Sequence, residues 1–306
     1  MKILVLGNLN VDISIFLDKL PSAGETVPGR NYVVSGGGKA ANQAVALAKL
    51  GFESFILAKI GVDTLGALAV DRIKKTGINL DYLYQDSCYQ TPVAAVLVDS
   101  TGENIIGTSP GANLHLTDEE VRKALVLDEA GWFLLNLGSN LSAIELYITY
   151  AATHGIPVVL DPAPLKFDIN YLLPYVDIIT PNQTELAFLV QAPILRIDDV
   201  CDGANKLLSA GVKIVIVKLG KKGAFLATRS GNVLVKSYNV NAIDTTGAGD
   251  AFNAGLVFGL SKGMNIEDSV MYGCAIGALT ATRQGTWDAF PAVEEVINFL
   301  KIRKKI

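Results

Sequence analysis

Charge is scarce in this chain of 306 residues. Asp, Glu, Lys and Arg make up 18% of it, and half of the residues are apolar. A typical soluble domain carries ~25% charge. Disordered chains show the opposite balance, with much charge and few apolar side chains, so intrinsic disorder is excluded. A basic excess is missing as well. Lys plus Arg number 26 and Asp plus Glu 30, for a net charge of −4. That removes the footprint of a nucleic-acid binder but leaves room for an anionic ligand held by local N–H groups. The only histidines are His115 and His154, and Cys88, Cys201 and Cys274 lie far apart with no CxxC pair. A zinc site therefore lacks its ligand set, and the cysteines read as reduced thiols of a cytoplasmic protein. No apolar run reaches the 18 residues a membrane span needs. The richest stretches, Leu146–Leu160 and Ser269–Thr282, are interrupted by Tyr, Thr, Gly or His. The apolar run in Met1–Asn8 is too short for a signal-peptide core and reads as a buried strand.

Several enzyme signatures are also absent. There is no GxxxxGK[ST] phosphate loop and no GxGxxG, which removes the main signal for a nicotinamide dehydrogenase. Gly107-Thr108-Ser109-Pro110-Gly111 matches GxSxG. In a nucleophile elbow the residue after Ser donates its backbone N–H to the oxyanion, and Pro110 has none. A turn after a hairpin is the better reading.

What the sequence does contain is alternation. Ile3–Leu6, Phe55–Ala58, Trp132–Asn136, Pro157–Leu160, Val176–Thr180 and Ile214–Lys218 read as strands buried on both faces. Helical patterns fall between them at Ala40–Leu50, Leu65–Lys75 and Leu141–Thr153, and Thr117 with Glu120 forms a capping box. This order predicts an α/β fold with a mostly parallel sheet sandwiched by helices. Two regions break the rhythm: Val11–Leu17 with Arg30–Ser35, and Thr91–Val98 with Asn104–Ser109. These extended segments predict a small separate sheet, a lid over the main body. After Gly247 the chain becomes almost wholly helical, at Ala251–Leu260, Ile266–Thr282 and Val293–Lys301.

Five segments carry candidate chemistry. In Asp244-Thr245-Thr246-Gly247-Ala248-Gly249-Asp250, two glycines turn the chain into an apolar helix. The helix start exposes unpaired N–H groups at the positive end of the dipole, an anion hole suited to a transferring phosphoryl group. Asp250 stands beside it, where a carboxylate can accept a proton from an attacking hydroxyl. A plain helix cap accounts for the same residues. Ser35-Gly36-Gly37-Gly38-Lys39-Ala40-Ala41-Asn42 places three glycines before a helix, which permits close approach of a ligand to the backbone. Lys39 and Asn42 share one helix face and offer donors to hydroxyl groups. A loop with a solvated lysine is the alternative. Asn10 and Asp12, at the end of the first strand, point to one side of an extended stretch and could grip a polyol, or could simply end the strand. Asn182 and Glu185 form either a capping box or part of a magnesium-and-phosphate shell with waters between. Lys218-Leu219-Gly220-Lys221-Lys222-Gly223 joins two apolar strands, as a hairpin turn or as a loop steering a polyphosphate.

In this order, the segments resemble the ribokinase (PfkB-type) carbohydrate kinase family, and its ribokinase branch in particular. The resemblance spans nearly the whole chain: GNLNVD at 7–12, PSAGETV at 21–27, GGKAANQA at 37–44, PGAN at 110–113, DPAP at 161–164, DIITPNQTE at 177–185, VKLGKKG at 217–223 and DTTGAGDAFNAG at 244–255. It implies phosphoryl transfer from ATP to a sugar hydroxyl, with Asp250 as general base and Gly247, Ala248 and Gly249 around the anion hole. Asn10, Asp12, Gly38, Lys39 and Asn42 match sugar-contacting positions. Asn182, Lys218, Gly220, Gly223, Gly249 and Cys274 match nucleotide positions, and Glu185 a magnesium position acting through water. Asp244, Thr246, Thr280, Arg283, Gly285 and Ala289 match a potassium site. The implied architecture is one Rossmann-like domain over 1–306, with a lid from about 11–35 and 88–110 that can also build a homodimer. The expected partner is a small sugar, with neither nucleic acid nor membrane. A nucleoside acceptor and a non-catalytic sugar-binding regulator are the alternatives. Three positions depart from the ribokinase pattern. Gly138 stands where a sugar-contacting Glu is usual, which predicts open volume beside the pocket and altered specificity. Ala40 replaces a Gly, and Ala289 a Ser in the cation loop.

Overall fold

The computed structural model describes residues 1–127, 129–165 and 167–303. In chain order, the strands and helices begin with β1 (Lys2–Leu6), β2 (Asn10–Leu17), β3 (Gly29–Gly37), α1 (Lys39–Lys49), β4 (Glu53–Gly61), α2 (Thr64–Lys74) and β5 (Leu83–Asp86). There follow β6 (Val93–Val98), β7 (Asn104–Ser109), α3 (Asp118–Leu125), β8 (Ala130–Asn136), α4 (Leu141–His154) and β9 (Val158–Asp161). The chain continues through β10 (Ile178–Ile179), α5 (Gln183–Val190), α6 (Ile197–Ser209), β11 (Ile214–Lys218), β12 (Ala224–Thr228) and β13 (Gly231–Val235). It closes with α7 (Ala248–Ser261), α8 (Ile266–Thr280) and α9 (Val293–Arg303).

A nine-stranded sheet runs β13-β12-β11-β10-β9-β8-β1-β4-β5. Every pair from β11 to β5 is parallel, and β12 and β13 add an antiparallel edge. The central strands are mostly apolar because both faces are covered. Ile3, Val5, Ile56, Leu134 and Ile216 point into a core with α1, α2, α7, α8 and α9. Their alternates Leu4, Leu6, Leu57, Phe133, Leu135 and Val215 point into a second core with α3, α4, α5 and α6. This is the pattern expected of a doubly covered parallel sheet. Chain direction across the sheet reverses at β1. From β1 the chain moves to β4 and β5, then returns to β8 on the other side and continues to β9 and beyond. In open α/β sheets, the crevice at the carboxyl ends of strands on either side of such a reversal is where ligands bind.

The two extended regions pair into a four-stranded sheet of order β3-β2-β6-β7. β2 runs antiparallel to β3 and parallel to β6, and β6 is antiparallel to β7. Arg72 of α2 donates to the carbonyl of Val34 in β3, tying this sheet to the helical layer. The predicted strands and helices recur within a few residues. The sequence reading omitted β5, β13 and α6. β5 is short and half-buried, and α6 is the continuation of an α5–α6 pair entered through the Arg196–Asp199 cap.

Candidate active site

The first site elements come from close backbone approach. β3 ends in the glycine run, and Gly38 is held at φ 96°. A Cβ on Gly38 would lie 2.5 Å from the carbonyl oxygen of Asn8, and one on Gly37 would lie 2.0 Å from a carboxylate oxygen of Asp12. Only glycine lets this strand pass over the end of β1 and enter α1, where the Ala41 N–H donates to the Asn8 carbonyl at 3.2 Å. The same packing buries Asp12, whose carboxyl is pushed up to about 6 and whose Oδ1 has no hydrogen-bond partner among the described residues. Asn10 lies alongside. Its Oδ1 accepts from Asn113 at 3.1 Å and from Asn8 at 3.3 Å.

The second group is a buried polar cluster at the mouth of α7. Gly247 caps this helix in a left-handed conformation. The N–H of Ala248 donates to the Thr245 carbonyl at 3.2 Å, and the next N–H groups of the first turn have no helical acceptor. Asp250 is 5% exposed. Its Oδ2 accepts from Asn42 at 2.9 Å and its Oδ1 from Gln43 at 3.2 Å. The Gln43 amide also donates to Asp161 at 3.0 Å, so one side chain joins two carboxylates. Asn42 is held from behind by the Trp287 indole at 2.9 Å. Asp161, ending β9, accepts from Lys218 at 2.9 Å and faces Lys39 at 3.8 Å. Burial pushes Asp250 above the usual carboxylate range, with Asp161 adding to the push and Lys39 opposing it. Burial pushes Asp161 up too, but Lys218 and Lys39 outweigh it and hold that carboxyl low. Asp161 in turn raises the Lys39 ammonium.

A third group lies further along the same edge. Asn182 caps α5 and Glu185 completes the capping box, with both of its carboxylate oxygens accepting from Asn182 at 2.8 and 2.9 Å. Burial and the nearby Asp161 raise the Glu185 carboxyl. Asn182 bridges to Lys218 across the strand ends, and a Cβ on Gly249 would come 3.7 Å from the Lys218 ammonium. Gly220 and Gly223 bound the turn between β11 and β12, both at positive φ. Asp244 staples two loops by accepting from the N–H of Thr246 at 2.9 Å and of Gly285 at 3.0 Å. Those hydrogen bonds overcome the effect of burial and hold its carboxyl low. Thr280 and Ala289 are buried, and Arg283 pairs with Glu295. Cys274 lies on α8 inside the core, where burial pushes its thiol up to about 12.

The structure thus gathers the residues predicted from the glycine run, from α7 and from the β10 and β11 ends along one edge of the sheet. Gln43, Asp161, Asn113 and Trp287 have no assigned role in the sequence reading. Gln43 had a signal, being an amide inside an Ala- and Val-rich helix, and so had Asp161, a carboxylate ending an apolar strand. Trp287 had none, since its partner is 245 residues away. The expectation for Gly138 is corrected. The space is filled, not open: a Cβ there would lie 2.7 Å from Asn8 Cγ and 2.8 Å from Asn136 Oδ1. The Asn136 side chain turns back to accept from the Gly138 N–H at 3.0 Å.

A doubly covered parallel sheet, a helix start with unpaired N–H groups and a buried carboxylate beside it fit an α/β phosphotransferase. Comparison with known proteins makes this specific. The model of the pfkB family carbohydrate kinases matches residues 1–292, and the chain belongs to that family. The ribokinase of Haemophilus influenzae is 34% identical over 298 residues, covering 97% of both chains. The deoxyribokinase of Salmonella typhi is 32% identical over 307 residues, covering 99% of this chain and all of its own. The structure of Arabidopsis thaliana ribokinase complexed with ribose and ATP superposes with a TM-score of 0.89 at 30% identity, covering 98% of both chains. The chain is a phosphotransferase acting on an alcohol group. No helix among the described residues is long and apolar enough to cross a membrane.

The filled pocket at Gly138 generates a prediction. Gly138→Ala forces its methyl against Asn8 and Asn136 and is expected to cost about 1–3 kcal/mol of stability, as overpacking does. Asn8→Gly in the same chain should return part of that loss, because it removes both the Cβ and the Cγ that the methyl meets and leaves Asn136 Oδ1. Urea unfolding of the two single variants and the double variant measures it, and additive losses would contradict the contact.

Proposed function

We propose that the chain transfers the γ-phosphoryl group of ATP to a primary hydroxyl of a pentose such as ribose, or of a similar furanose. The observation that carries this reading is Asp250, a buried carboxylate at the anion-hole end of α7, oriented on both oxygens by Asn42 and Gln43. Its raised pKa suits a base that must take a proton and later release it. The ribose-and-ATP complex of the Arabidopsis relative and the near-full coverage of the curated ribokinases support the same donor and acceptor.

In this reading Asn10, Asp12, Gly38, Lys39 and Asn42 hold the sugar, with the free Asp12 oxygen accepting from a hydroxyl. The acceptor hydroxyl gives its proton to Asp250 as its oxygen attacks in line. Charge on the transferring group falls on the N–H groups around Gly247–Gly249 and on the ammonium of Lys218. Asn182, Gly220 and Gly223 border the nucleotide. Two cations complete the reading. Both oxygens of Glu185 are committed to Asn182, so it suits a water-mediated contact to magnesium, an ion that keeps several waters. Asp244, Thr246, Arg283, Gly285 and Ala289 sit on loops that Asp244 staples together beside the end of α8, where Thr280 stands, and offer hard oxygen donors for potassium. Magnesium supplies charge neutralisation on the phosphates, and potassium a positive field beside the anion hole. The whole chain acts as one domain, with the four-stranded sheet as a lid. Cys274 lies in the core behind the nucleotide position.

A deoxypentose acceptor is the second reading. It is favoured by the Salmonella typhi deoxyribokinase match along the whole chain. The nucleoside alternative gains no support at Gly138, where the Cβ position abuts Asn8 and Asn136.

An ADP-release assay with magnesium and potassium, run over ribose, deoxyribose, other pentoses, fructose and nucleosides, tests the proposal. Strong turnover on a free pentose is expected, and turnover on nucleosides alone would reject it. Asp250→Asn should lower turnover about 10³-fold, in the range general bases contribute, with the fold retained but the unfolding temperature lowered, because its amide sets an N–H against the donor of Asn42 or Gln43. Near-normal turnover would dismiss Asp250 as the base. Asp12 is ionised above about pH 6 and loses acceptor capacity below it. KM for the sugar should therefore rise as pH falls through that value, and Asp12→Asn should abolish the pH dependence. The edge strands β3 and β7 expose Tyr32, Val33, Ile105 and Ile106, which supports a homodimer through the lid. Sedimentation at the mass of one chain would count against it.

A further inference from the structure

The mouth of α7 contains more charge than base catalysis requires. Asp161 is 1% exposed and stands between two ammonium groups, 2.9 Å from Lys218 and 3.8 Å from Lys39. On its other side it shares the Gln43 amide with Asp250, at 3.0 and 3.2 Å. Asn42 fixes the second oxygen of Asp250 at 2.9 Å and is itself pinned by Trp287. The two contacts hold the Asp250 carboxylate plane, and the Gln43 amide that makes one of them is shared with Asp161.

We propose that Asp161 is a positioning residue for phosphoryl transfer: it holds Lys218 until the nucleotide arrives and, through Gln43, sets the orientation of Asp250. The Lys218 ammonium already lies beside the first turn of α7, 3.7 Å from the Cβ position of Gly249. A phosphoryl oxygen entering the anion hole competes with Asp161 for it. Once Lys218 turns to the phosphate, the negative charge of Asp161 is less compensated and acts on Asp250 across the shared amide. The base thereby gains proton affinity in the complex with nucleotide, when a proton must be taken up. The charged groups facing Asp250 are Lys39 from α1, Lys218 from β11 and Asp161 from β9, with the amides of Asn42 and Gln43.

The inference rests on Asp250 as base, and two variants separate the two claims. Asp161→Asn removes a negative neighbour of Asp250. The expected result is a kcat lower by about tenfold or more, KM for the sugar within about threefold, and an acid limb of kcat displaced to lower pH. Gln43→Leu leaves every charge in place and removes a donor from the Asp250 carboxylate. It should also lower kcat, but displace the acid limb to higher pH. Opposite displacements are what a merely structural role would not produce. Wild-type kcat and limb in both variants, or equal losses with an unmoved limb and a lowered unfolding temperature, would overturn the proposal. If Asp161→Asn does not fold, Asp161→Glu takes its place: the charge stays but its oxygens shift from Gln43 and Lys218, so kcat should fall, and a wild-type kcat overturns the proposal. An inactive Asp250→Asn beside unaltered Asp161→Asn would sink only this inference, and an active Asp250→Asn would sink the base itself.

Discussion

Two carboxylates share one amide in the interior of this protein. Gln43 donates to both Asp161 and Asp250, and both acids are almost fully buried. Like charges so placed are unfavourable unless cations and donors surround them. Lys218, Lys39 and Asn42 supply that surrounding, and each comes from an element that must be in place first. Lys218 requires β11 in register with β10, Asp161 requires β9 beside β8, and Asn42 and Gln43 require α1 to start where the glycine run ends. Asp250 requires α7 to begin at Gly247. The cluster therefore constrains the relative placement of strands and helices far apart in the chain, and a disturbance in any of them leaves a buried charge without its partner.

The reversal of chain direction at β1 is what makes room for this cluster. The connections after β1 and β8 lead to opposite sides, so a crevice remains at their carboxyl ends. The glycine run fills part of it with backbone, bringing α1 over the end of β1 at a distance no side chain would allow. Asn8, Asn10, Asn113 and Asn136 fill another part with amides. Asn8 and Asn113 both donate to Asn10, Asn136 accepts from the Gly138 N–H, and the half-buried Asp12 keeps one oxygen without a partner among the described residues.

Much of the fold was legible because burial on both faces leaves a simple trace. Runs such as Ile3–Leu6 and Ile214–Lys218 have no polar alternation, and only a covered parallel sheet tolerates that. The capping box at Thr117 and the glycines after α4 and before α7 mark helix ends by local chemistry, and the structure uses them so. β5 was not legible because a four-residue, half-buried strand has almost no periodicity of its own. In the site, the ordered motifs named Asp250, Asn42, Lys39, Asn182 and Lys218. Gly138 was read as vacated space because a missing side chain suggests a hole. The neighbouring amides of Asn8 and Asn136 occupy that space instead, since packed interiors close gaps a side chain could fill.

The sequence by itself determined the layered α/β body, the glycine turns that let the backbone pass closely over the end of β1, and the family. These depend on local periodicity, on φ preferences and on motif order along the chain. Only the tertiary structure decided that Asp161 neutralises two lysines, that Gln43 bridges two acids and that Trp287 anchors Asn42. Those contacts join residues from 57 to 245 positions apart. No local pattern encodes such pairings. They follow from where the strand ends meet, and a buried charge must find its partner there because water cannot reach it.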